Sequence, residues 1–345
     1  MKRKTKRLFI FVILIVFVLL GGIAGYFYYQ IVSPGFKIKE PVSIYINENK
    51  DFDKLLSDLD TVAHIKNPVL FPKLAAYLHY GANYMLTGRY VITPSTSVLS
   101  AIKMFRKGHQ TPVKFTFNNV RLKTDFIEKI GNQFMFGPEK LSEKLNDPAI
   151  CESFGFDTVT IVSMFIPNTY EMYWNVPVSK FLERMKKEYD RFWTPERLGK
   201  AEAIPLTPVQ VSILASIVEE ETADKADYAM VAGLYINRLR KGMLLQADPT
   251  VKFAVGDFSL KRILNVHLDV ESPYNTYKHS GLPPGPIRIP SMAGMDAVLN
   301  YVQHNYLYMT AKEDLSGETN FEVTQAEHLQ NARKYQNALN KRNIR

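Results

Sequence analysis

An uncharged, strongly apolar stretch near the start of the chain constrains its folding more than any other feature. It runs from Leu8 to Tyr29 as LFIFVILIVFVLLGGIAGYFYY, and about 20 apolar residues are enough to cross the core of a bilayer as a helix. We therefore predict a transmembrane helix over residues 8–29. The alternative is a cleaved signal peptide, but its apolar region is usually shorter, about 7 to 15 residues, and is followed by a small-residue cleavage site.

The residues on either side of this stretch predict its orientation. A basic cluster precedes it, and aromatic residues from Tyr26 to Tyr29 form its other end. Basic residues favour the cytoplasmic side, and aromatic residues favour membrane interfaces. We predict a cytoplasmic tail of residues 1–7, a single pass through the cell (inner) membrane, and an extracytoplasmic or periplasmic location for the rest. The basic cluster consists of Lys2, Arg3, Lys4, Lys6 and Arg7.

The composition of the chain excludes several classes of function. The formal net charge is +9, but the basic cluster supplies more than half of it, so the remainder is too mild and scattered for nucleic-acid binding. Cys151 is the single cysteine, which excludes a disulfide framework and a cysteine metal cluster. No histidine pair has zincin spacing, and the sequence has no P-loop, dinucleotide fingerprint or serine elbow. We predict no metal and no cofactor.

Hydrophobic patterning divides the exported part into two regions. Alternation over residues 42–47 indicates a half-buried strand in an α/β region that we place at 36–155. Residues 156–345 have a mainly helical pattern, so the expected fold class is α+β. Strands are predicted at 42–47, 88–92 and 113–117, and helices near 51–60, 67–80, 95–107, 123–131, 138–146, 178–193, 207–222, 226–241, 291–303 and 325–341.

The helix predicted over 207–222 carries the strongest candidate for chemistry. Its first residues, Thr207–Gln210, combine an N-cap, a first-turn proline and a capping-box glutamine. At about 100° per residue, Glu221 falls in the apolar stripe, Glu220 at its edge and Glu219 on the solvated side. An inward carboxyl loses hydration, which raises its pKa towards the value that a general acid needs. The alternative is that the three glutamates form the solvated acidic end of an amphipathic helix.

Several motifs follow one another in order along the second region. The helix above contains Ala215–Thr222, ASIVEEET. A series of motifs in one fixed order along a chain, such as the one completed below, is a highly specific signal of a protein family. The other motifs are Phe165–Tyr170 (FIPNTY), Tyr235–Leu239 (YINRL), Gly242–Val251 (GMLLQADPTV), Ser272–Tyr277 (SPYNTY) and Gly281–Ile287 (GLPPGPI), with Phe321, Glu327 and His328 downstream.

Together these motifs resemble those of the YceG-like endolytic murein transglycosylases. The resemblance includes the apolar stretch, spans nearly the whole chain and is weakest from about 36 to 150. The sequence departs from the family at Ala247, where relatives often carry threonine, and in the loop Gly256–Glu271. The resemblance implies an N-terminal transmembrane helix, a small LysM-like α/β subdomain, and a mainly helical, lysozyme-like YceG catalytic domain.

The resemblance also implies an activity. Members of this family are lyases that cut nascent peptidoglycan glycan strands at the β-1,4 bond between MurNAc and GlcNAc. The products carry 1,6-anhydro-MurNAc ends, and the expected role is strand termination during wall synthesis beside peptidoglycan synthases. The resemblance places the family's catalytic glutamate on Glu221. Ordinary glycosidases need two carboxylates, but one suffices here because the muramic acid 6-hydroxyl is the nucleophile.

Polar residues of the motifs are candidate substrate-binding residues. Gln246 and Asp248 lie in a turn and suit hydrogen bonds to a sugar, although Asp248 fits an N-cap equally well. Asn275 and Tyr277 lie in a loop, where an amide and a ring could hold and stack a sugar. Arg238 could bind a muropeptide carboxylate or form an internal salt bridge, and the internal bridge is favoured.

Other aromatic and imidazole groups fit structural roles better. The cluster of Tyr170, Tyr173 and Trp174 could line a sugar cleft, but such spacing is more typical of a core. We expect His328 to be structural or exposed on the last helix.

Two functional alternatives stay open at this point. One is a non-catalytic, membrane-tethered glycan-binding scaffold, in which Glu221 would be replaceable. The other is a hydrolytic muramidase, which would need a positioned water and a second carboxylate such as Asp248.

Overall fold

The computed structural model begins with a long apolar helix, α1, at Lys2–Val32. The model describes residues 2–118, 120–260 and 262–342, with side chains from residue 6 onward, so Met1 of the predicted tail and residues 343–345 of the predicted second region lie outside the described residues. The part of α1 from Lys6 to Val32 is long and apolar enough to cross a membrane. This helix is consistent with a single-pass anchor.

Contacts between Cα atoms divide the chain into two compact units. The first contains the described residues up to 114 together with 133–135 and 171–176, and the second contains the other described residues. The predicted boundary near residue 155 lies inside the second unit, because residues 136–170 pack with the part of the chain that follows. A functional division at residue 155 stays a prediction.

The first unit packs helices on a two-stranded antiparallel sheet. Its strands pair from Val42 opposite Ile92 to Ile46 opposite Gly88. Ile46 is buried and Tyr45 is exposed, because successive side chains of a strand point to opposite faces. The elements are β1 Val42–Ile46, α2 Phe52–Thr61, α3 Leu70–Tyr77, β2 Gly88–Ile92 and α4 Val98–Lys107.

The second unit is mainly helical, and its described residues also include four short strands. The strands lie in two pairs, β3 with β4 and β5 with β6, and only the first of these strands was predicted. The hairpin of β5 and β6 runs from Tyr308 opposite Glu322 to Ala311 opposite Thr319. The elements are β3 Val113–Phe117, α5 Lys123–Gly131, α6 Gly137–Leu145, α7 Pro148–Ser153, β4 Asn168–Met172, α8 Val178–Phe192, α9 Pro195–Ala203, α10 Pro208–Glu221, α11 Tyr228–Arg240, α12 Asp248–Val255, α13 Asn265–Leu268, α14 Met292–Leu299, β5 Tyr308–Ala311, β6 Thr319–Glu322 and α15 Gln325–Lys341.

Helix α10 is the central helix of the second unit. The predicted capping box is present, since the Thr207 side chain accepts from the Gln210 amide and the Gln210 side chain accepts from the Thr207 amide. Every residue from Val211 to Glu219 is buried, because α9, α11, α12 and α14 pack around the helix. The prediction that Glu219 faces solvent is therefore wrong. A helical wheel assumes one solvated side, and α10 has none along this stretch.

Candidate active site

The first of the three glutamates, Glu219, is a buried structural carboxylate. Its Oε1 accepts a 2.9 Å hydrogen bond from the backbone amide of Ser291 and a second one from the Ser291 hydroxyl. The Arg288 Nε lies 3.5 Å from its other oxygen. Space for the carboxylate comes from Gly294 in α14, where a Cβ would lie 2.3 Å from Glu219 Oε1. Glu219 thus joins α10 to the start of α14.

The second glutamate, Glu220, is neutralised by two arginines. The Arg121 Nη2 lies 2.7 Å and 2.9 Å from its two oxygens, and the Arg288 Nη1 lies 2.8 Å from Oε1. Charge-assisted hydrogen bonds of this kind are among the stronger ones in proteins. They offset the repulsion between adjacent carboxylates at a helix C-terminus, where the macrodipole also disfavours negative charge.

The third glutamate, Glu221, is held differently. Its Oε1 accepts a 2.6 Å hydrogen bond from the Tyr235 hydroxyl of α11, and it forms no ion pair with a described residue. Burial raises the pKa of Glu221 to about 7; the Tyr235 hydrogen bond opposes this rise, and the negative charge of Asp248 adds to it. At neutral pH this carboxyl therefore exists in both protonated and ionised forms.

Glu221 lines an open cavity of about 600 Å³ in the second unit. The lining brings together five of the six residues predicted for the site, although they come from segments far apart in the chain. These five are Glu221, Arg238, Gln246, Asp248 and Tyr277.

Asp248 and Tyr277 form a pair in this cavity. The Tyr277 hydroxyl donates a 2.6 Å hydrogen bond to Asp248 Oδ1, and burial together with the Asp248 charge raises the pKa of Tyr277. Asp248 is the first residue of α12, and the N-cap position belongs to Ala247. The alternative that Asp248 is the N-cap is therefore wrong, and its carboxylate lies in the cavity.

Arg238 lines the cavity but uses most of its donors on the backbone. It is 6% exposed, and its Nε donates to the Leu307 carbonyl at 2.6 Å while its Nη1 donates to the Leu245 carbonyl at 2.7 Å. It also reaches the side-chain oxygen of Gln246 at 3.3 Å. The favoured internal salt bridge is replaced by carbonyl contacts, which fasten the segment before β5 to the segment before α12. No hydrogen bond to a described residue uses its Nη2.

Gln246 has a backbone conformation that few non-glycine residues adopt. Its φ is +52°, in the left-handed region, and such positions cluster at functional sites. The amide of Gln246 donates to the Thr276 carbonyl at 3.1 Å, which joins the turn to the loop that carries Tyr277.

Asn275 has a different role from the predicted sugar contact. It is fully buried, does not line the cavity, and its amide donates to the carbonyls of Leu268 and Val270, both at 2.9 Å. Its Oδ1 accepts from the Tyr277 amide at 3.0 Å. Asn275 therefore shapes the loop, because a buried amide must find its hydrogen bonds inside the protein.

The aromatic cluster predicted as core does not line this cavity. Tyr170 is buried in the second unit and stacks with Phe117 at 5.7 Å between ring centroids. Trp174 belongs to the first unit and contacts Tyr45 edge to face, with 4.9 Å between ring centroids.

Sequence reasoning missed two groups of cavity residues. Tyr235 stands in the YINRL motif, but no role was assigned to it, although a tyrosine inside an apolar helix face needs a buried partner for its hydroxyl. The second group lies on the β5–β6 hairpin and α15. It includes His328, which lies on the last helix with its side chain 32% exposed and also lines the cavity. The members of this second group are Tyr308, Met309, Thr310, Ala311, Gly317, Thr319, Gln325, His328 and Leu329.

The geometry has the features that general acid–base chemistry requires. One carboxyl has its pKa near neutrality, one of its oxygens is fixed by a tyrosine, and the two neighbouring carboxylates are held by arginine or serine. A pKa near the working pH is the condition under which a single group can both give and take a proton efficiently. The cavity around it is large, open and rich in polar groups, as a site for a polar chain requires.

The chain belongs to the YceG-like family, whose model matches residues 44–334. It is similar to an endolytic murein transglycosylase of Bacillus subtilis (strain 168), with 43% identity over 129 residues, which cover 37% of this chain and 35% of that protein. It is also similar to an endolytic murein transglycosylase of Streptococcus pneumoniae (strain D39), with 24% identity over 94% of this chain and 64% of that protein. The chain thus spans less than two thirds of the length of either relative.

A solved structure supports the fold. The crystal structure of a protein from Listeria monocytogenes described as yceG-like matches 85% of this chain and 99% of its own, with a TM-score of 0.55 and 24% identity. This likeness shows a mixed α+β, YceG-like fold.

Proposed function

We propose that this chain is a membrane-anchored endolytic lytic transglycosylase that cleaves peptidoglycan glycan strands with Glu221 as acid and base. The combination of a buried carboxyl, an open cavity and the family of the chain carries the proposal. Glu221 has a pKa of about 7, lies in an open cavity, and belongs to a chain of the YceG-like family, whose relatives named above are called murein transglycosylases.

The proposed reaction uses one protein carboxyl twice. Protonated Glu221 gives its proton to the oxygen of the β-1,4 bond between MurNAc and GlcNAc, and the bond from the muramic acid C1 to that oxygen breaks. Positive charge develops on the sugar ring, and the Glu221 carboxylate lies beside it. The carboxylate then takes the proton from the muramic acid 6-hydroxyl as the O6–C1 bond forms. The products are a free GlcNAc 4-hydroxyl and a 1,6-anhydro-MurNAc end.

Tyr235 is well suited to support both steps. Its hydrogen bond fixes Oε1 of Glu221 and leaves Oε2 for the substrate. The bond stabilises the carboxylate between the two proton transfers, because a donor to the ionised form favours that form. General acid–base catalysis of this kind contributes about 10²- to 10⁴-fold.

We also propose the finer features of location and organisation. The amino terminus is cytoplasmic, the apolar helix crosses the cell (inner) membrane once, and the chain after it is extracytoplasmic. The basic cluster before the apolar helix supports this orientation. Within the predicted region 36–155, the strand–helix–helix–strand segment from β1 to β2 is the LysM-like subdomain that binds glycan. It follows the membrane helix directly in the chain. This place suits binding of nascent strands, a role in strand termination and association with peptidoglycan synthases.

Strand digestion with analysis of the ends tests the function. Purified glycan strands are incubated with the chain and with Glu221→Gln, and the products are examined by mass spectrometry. We expect 1,6-anhydro ends from the first protein and none from the second. Reducing ends would indicate a hydrolase that uses Asp248 as its second carboxylate. Binding without cleavage by the folded wild-type chain would indicate a glycan-binding scaffold.

A further inference from the structure

The cavity has two walls, and the described carboxylates that line it lie on one of them. The first wall carries both lining carboxylates, Glu221 and Asp248. The second wall consists of the lining residues of the β5–β6 hairpin and α15, and we call it the hairpin wall. Its described lining residues include no carboxylate, and its polar groups are the hydroxyls of Thr310 and Thr319, the Gln325 amide and the His328 imidazole.

Arg238 and His328 both pack on one ring of the hairpin wall. The Arg238 guanidinium carbon lies 5.1 Å from the centre of the Tyr308 ring. The His328 ring stacks on Tyr308 with 5.4 Å between centroids and 27° between planes. The Arg238 guanidinium cation, the Tyr308 ring and the His328 imidazole thus form a continuous array along the cavity lining.

His328 is held through one nitrogen and leaves the other for a ligand. Its Nδ1 lies 2.9 Å from the Thr310 hydroxyl oxygen, and the Glu322 Oε2 lies 3.7 Å from the same nitrogen. When the Thr310 hydroxyl donates to Nδ1, the ring proton is on Nε2. The Nε2 forms no hydrogen bond with a described residue, and the side chain is 32% exposed.

We propose that His328 Nε2 of the hairpin wall and Arg238 Nη2 of α11, which packs on Tyr308 of that wall, bind the carboxylate of the muramic acid 3-O-substituent. This inference rests on the proposed function. Muramic acid differs from GlcNAc by its lactyl arm, which ends in a carboxylate in strands without peptide and continues into a peptide with its own carboxylates in others. Glu221 and Asp248 repel such an anion, whereas the Arg238 cation packs on Tyr308 beside the hairpin-wall donors. The Glu322 carboxylate next to His328 is only 3% exposed.

Binding the arm at this wall also selects the bond that is cut. Only muramic acid carries the arm, so its capture on the hairpin wall orients the strand with the muramic acid C1 towards Glu221. A strand shifted by one sugar would leave the donors without a carboxylate. The wall therefore acts in specificity, and His328 is a substrate-binding residue outside the proton transfer.

The test compares three strand preparations that differ only in the arm. One carries the free lactyl carboxylate, the second has this carboxylate converted to a neutral methyl ester, and the third carries peptide. Steady-state cleavage is measured for the chain, for His328→Ala and for Gln330→Ala, an exposed change on the same helix that does not line the cavity. Binding of the same strands to chains that also carry Glu221→Gln is measured in parallel.

We expect His328→Ala to raise KM for the free-carboxylate strand about tenfold, the effect of losing one hydrogen bond to a charged group, with kcat nearly unchanged. For the methyl ester the loss is at most about twofold, and the wild-type chain itself prefers the carboxylate over the ester about tenfold. Gln330→Ala behaves as wild type. A His328 effect that is equally large on the peptide-bearing strand assigns the site to peptide carboxylates as well as the lactyl group.

Two results overturn the inference. If His328→Ala raises KM equally for the carboxylate and ester strands, His328 is a structural residue. If the wild-type chain cleaves both strands with the same KM, the cavity has no site for the carboxylate. Failure of the proposed function is a separate result, because it appears as no cleavage of any strand. In that case the binding measurements with Glu221→Gln still decide whether the hairpin wall holds the carboxylate.

Discussion

Two of the helices that contribute to the cavity differ in burial. In α10, which carries the Glu221 carboxyl of the first wall, every residue from Val211 to Glu219 is buried. No residue of α15, which contributes to the hairpin wall, is buried. The first wall fixes a carboxyl in dense surroundings, and these surroundings raise its pKa. The hairpin wall keeps its polar groups accessible to a ligand. The comparison teaches that proton transfer and substrate recognition place opposite demands on packing, and the proposed function assigns them to different parts of the chain.

The largest expected effect is the loss of kcat when the acid of the first wall is replaced, compared with a replacement on the hairpin wall. Glu221→Gln removes the proton that the reaction needs, so kcat should fall by roughly 10²- to 10⁴-fold. Gln325→Ala on the hairpin wall should change kcat/KM by less than about tenfold, the range of one partly exposed hydrogen bond. Steady-state assays on one strand preparation measure both. Similar losses of kcat in the two variants would break the distinction between the walls.

The second effect concerns how tightly the first wall is packed. Gly294→Ala places a Cβ 2.3 Å from Glu219 Oε1, and the buried carboxylate cannot move without losing its bonds to Ser291. We expect a loss of roughly 1–3 kcal/mol in the free energy of unfolding. Gly199→Ala in α9 is the matched control, since nothing lies within 4 Å of its Cβ, and it should stabilise the helix by up to about 1 kcal/mol. Denaturant unfolding measures both, and equal stabilities would contradict this account of Glu219.

The smallest expected effect is on the pKa of Glu221 when its hydrogen bond from Tyr235 is removed. Because the Tyr235 hydroxyl lowers the pKa of Glu221, Tyr235→Phe should raise that pKa by about one unit, the effect of one hydrogen bond to a charged group. In a plot of kcat/KM against pH, the decline on the alkaline side, here called the alkaline limb, should move to higher pH. Tyr301→Phe removes a hydroxyl that accepts from Arg240 and should leave the limb unchanged. A limb that moves to lower pH in Tyr235→Phe would show that the hydroxyl does not favour the carboxylate.

The sequence predicted α10 well because its signals are local. The capping residues of Thr207–Gln210 fixed its start, and the inward position of Glu221 followed from the apolar stripe. The prediction failed for Glu219, because a wheel drawn from one helix does not contain the neighbours that enclose α10 on its other side. The bonds of Glu219 to Ser291 and Arg288 depend on tertiary packing and have no local signal.

The hairpin wall was missed for a different reason. The strands Tyr308–Ala311 and Thr319–Glu322 have four residues each, and most of their side chains are half-buried instead of alternating between core and solvent. Period-two patterning, which is the usual sequence signal of a strand, is therefore weak. The role of His328 depends on this hairpin, so neither could be inferred from composition or spacing.

The pH dependence of kcat/KM for strand cleavage tests the central claim most directly, because this ratio reports the ionisation of the free enzyme. Burial raises the pKa of Glu221 from 4.5 to about 7, and the first step needs the protonated form. The account therefore predicts that Glu221 is mostly protonated below pH 7 and does not limit kcat/KM there. It predicts that kcat/KM declines as pH rises through about 7. A decline centred near 4.5, or activity that increases above pH 7, would contradict the assignment of Glu221 as a buried general acid.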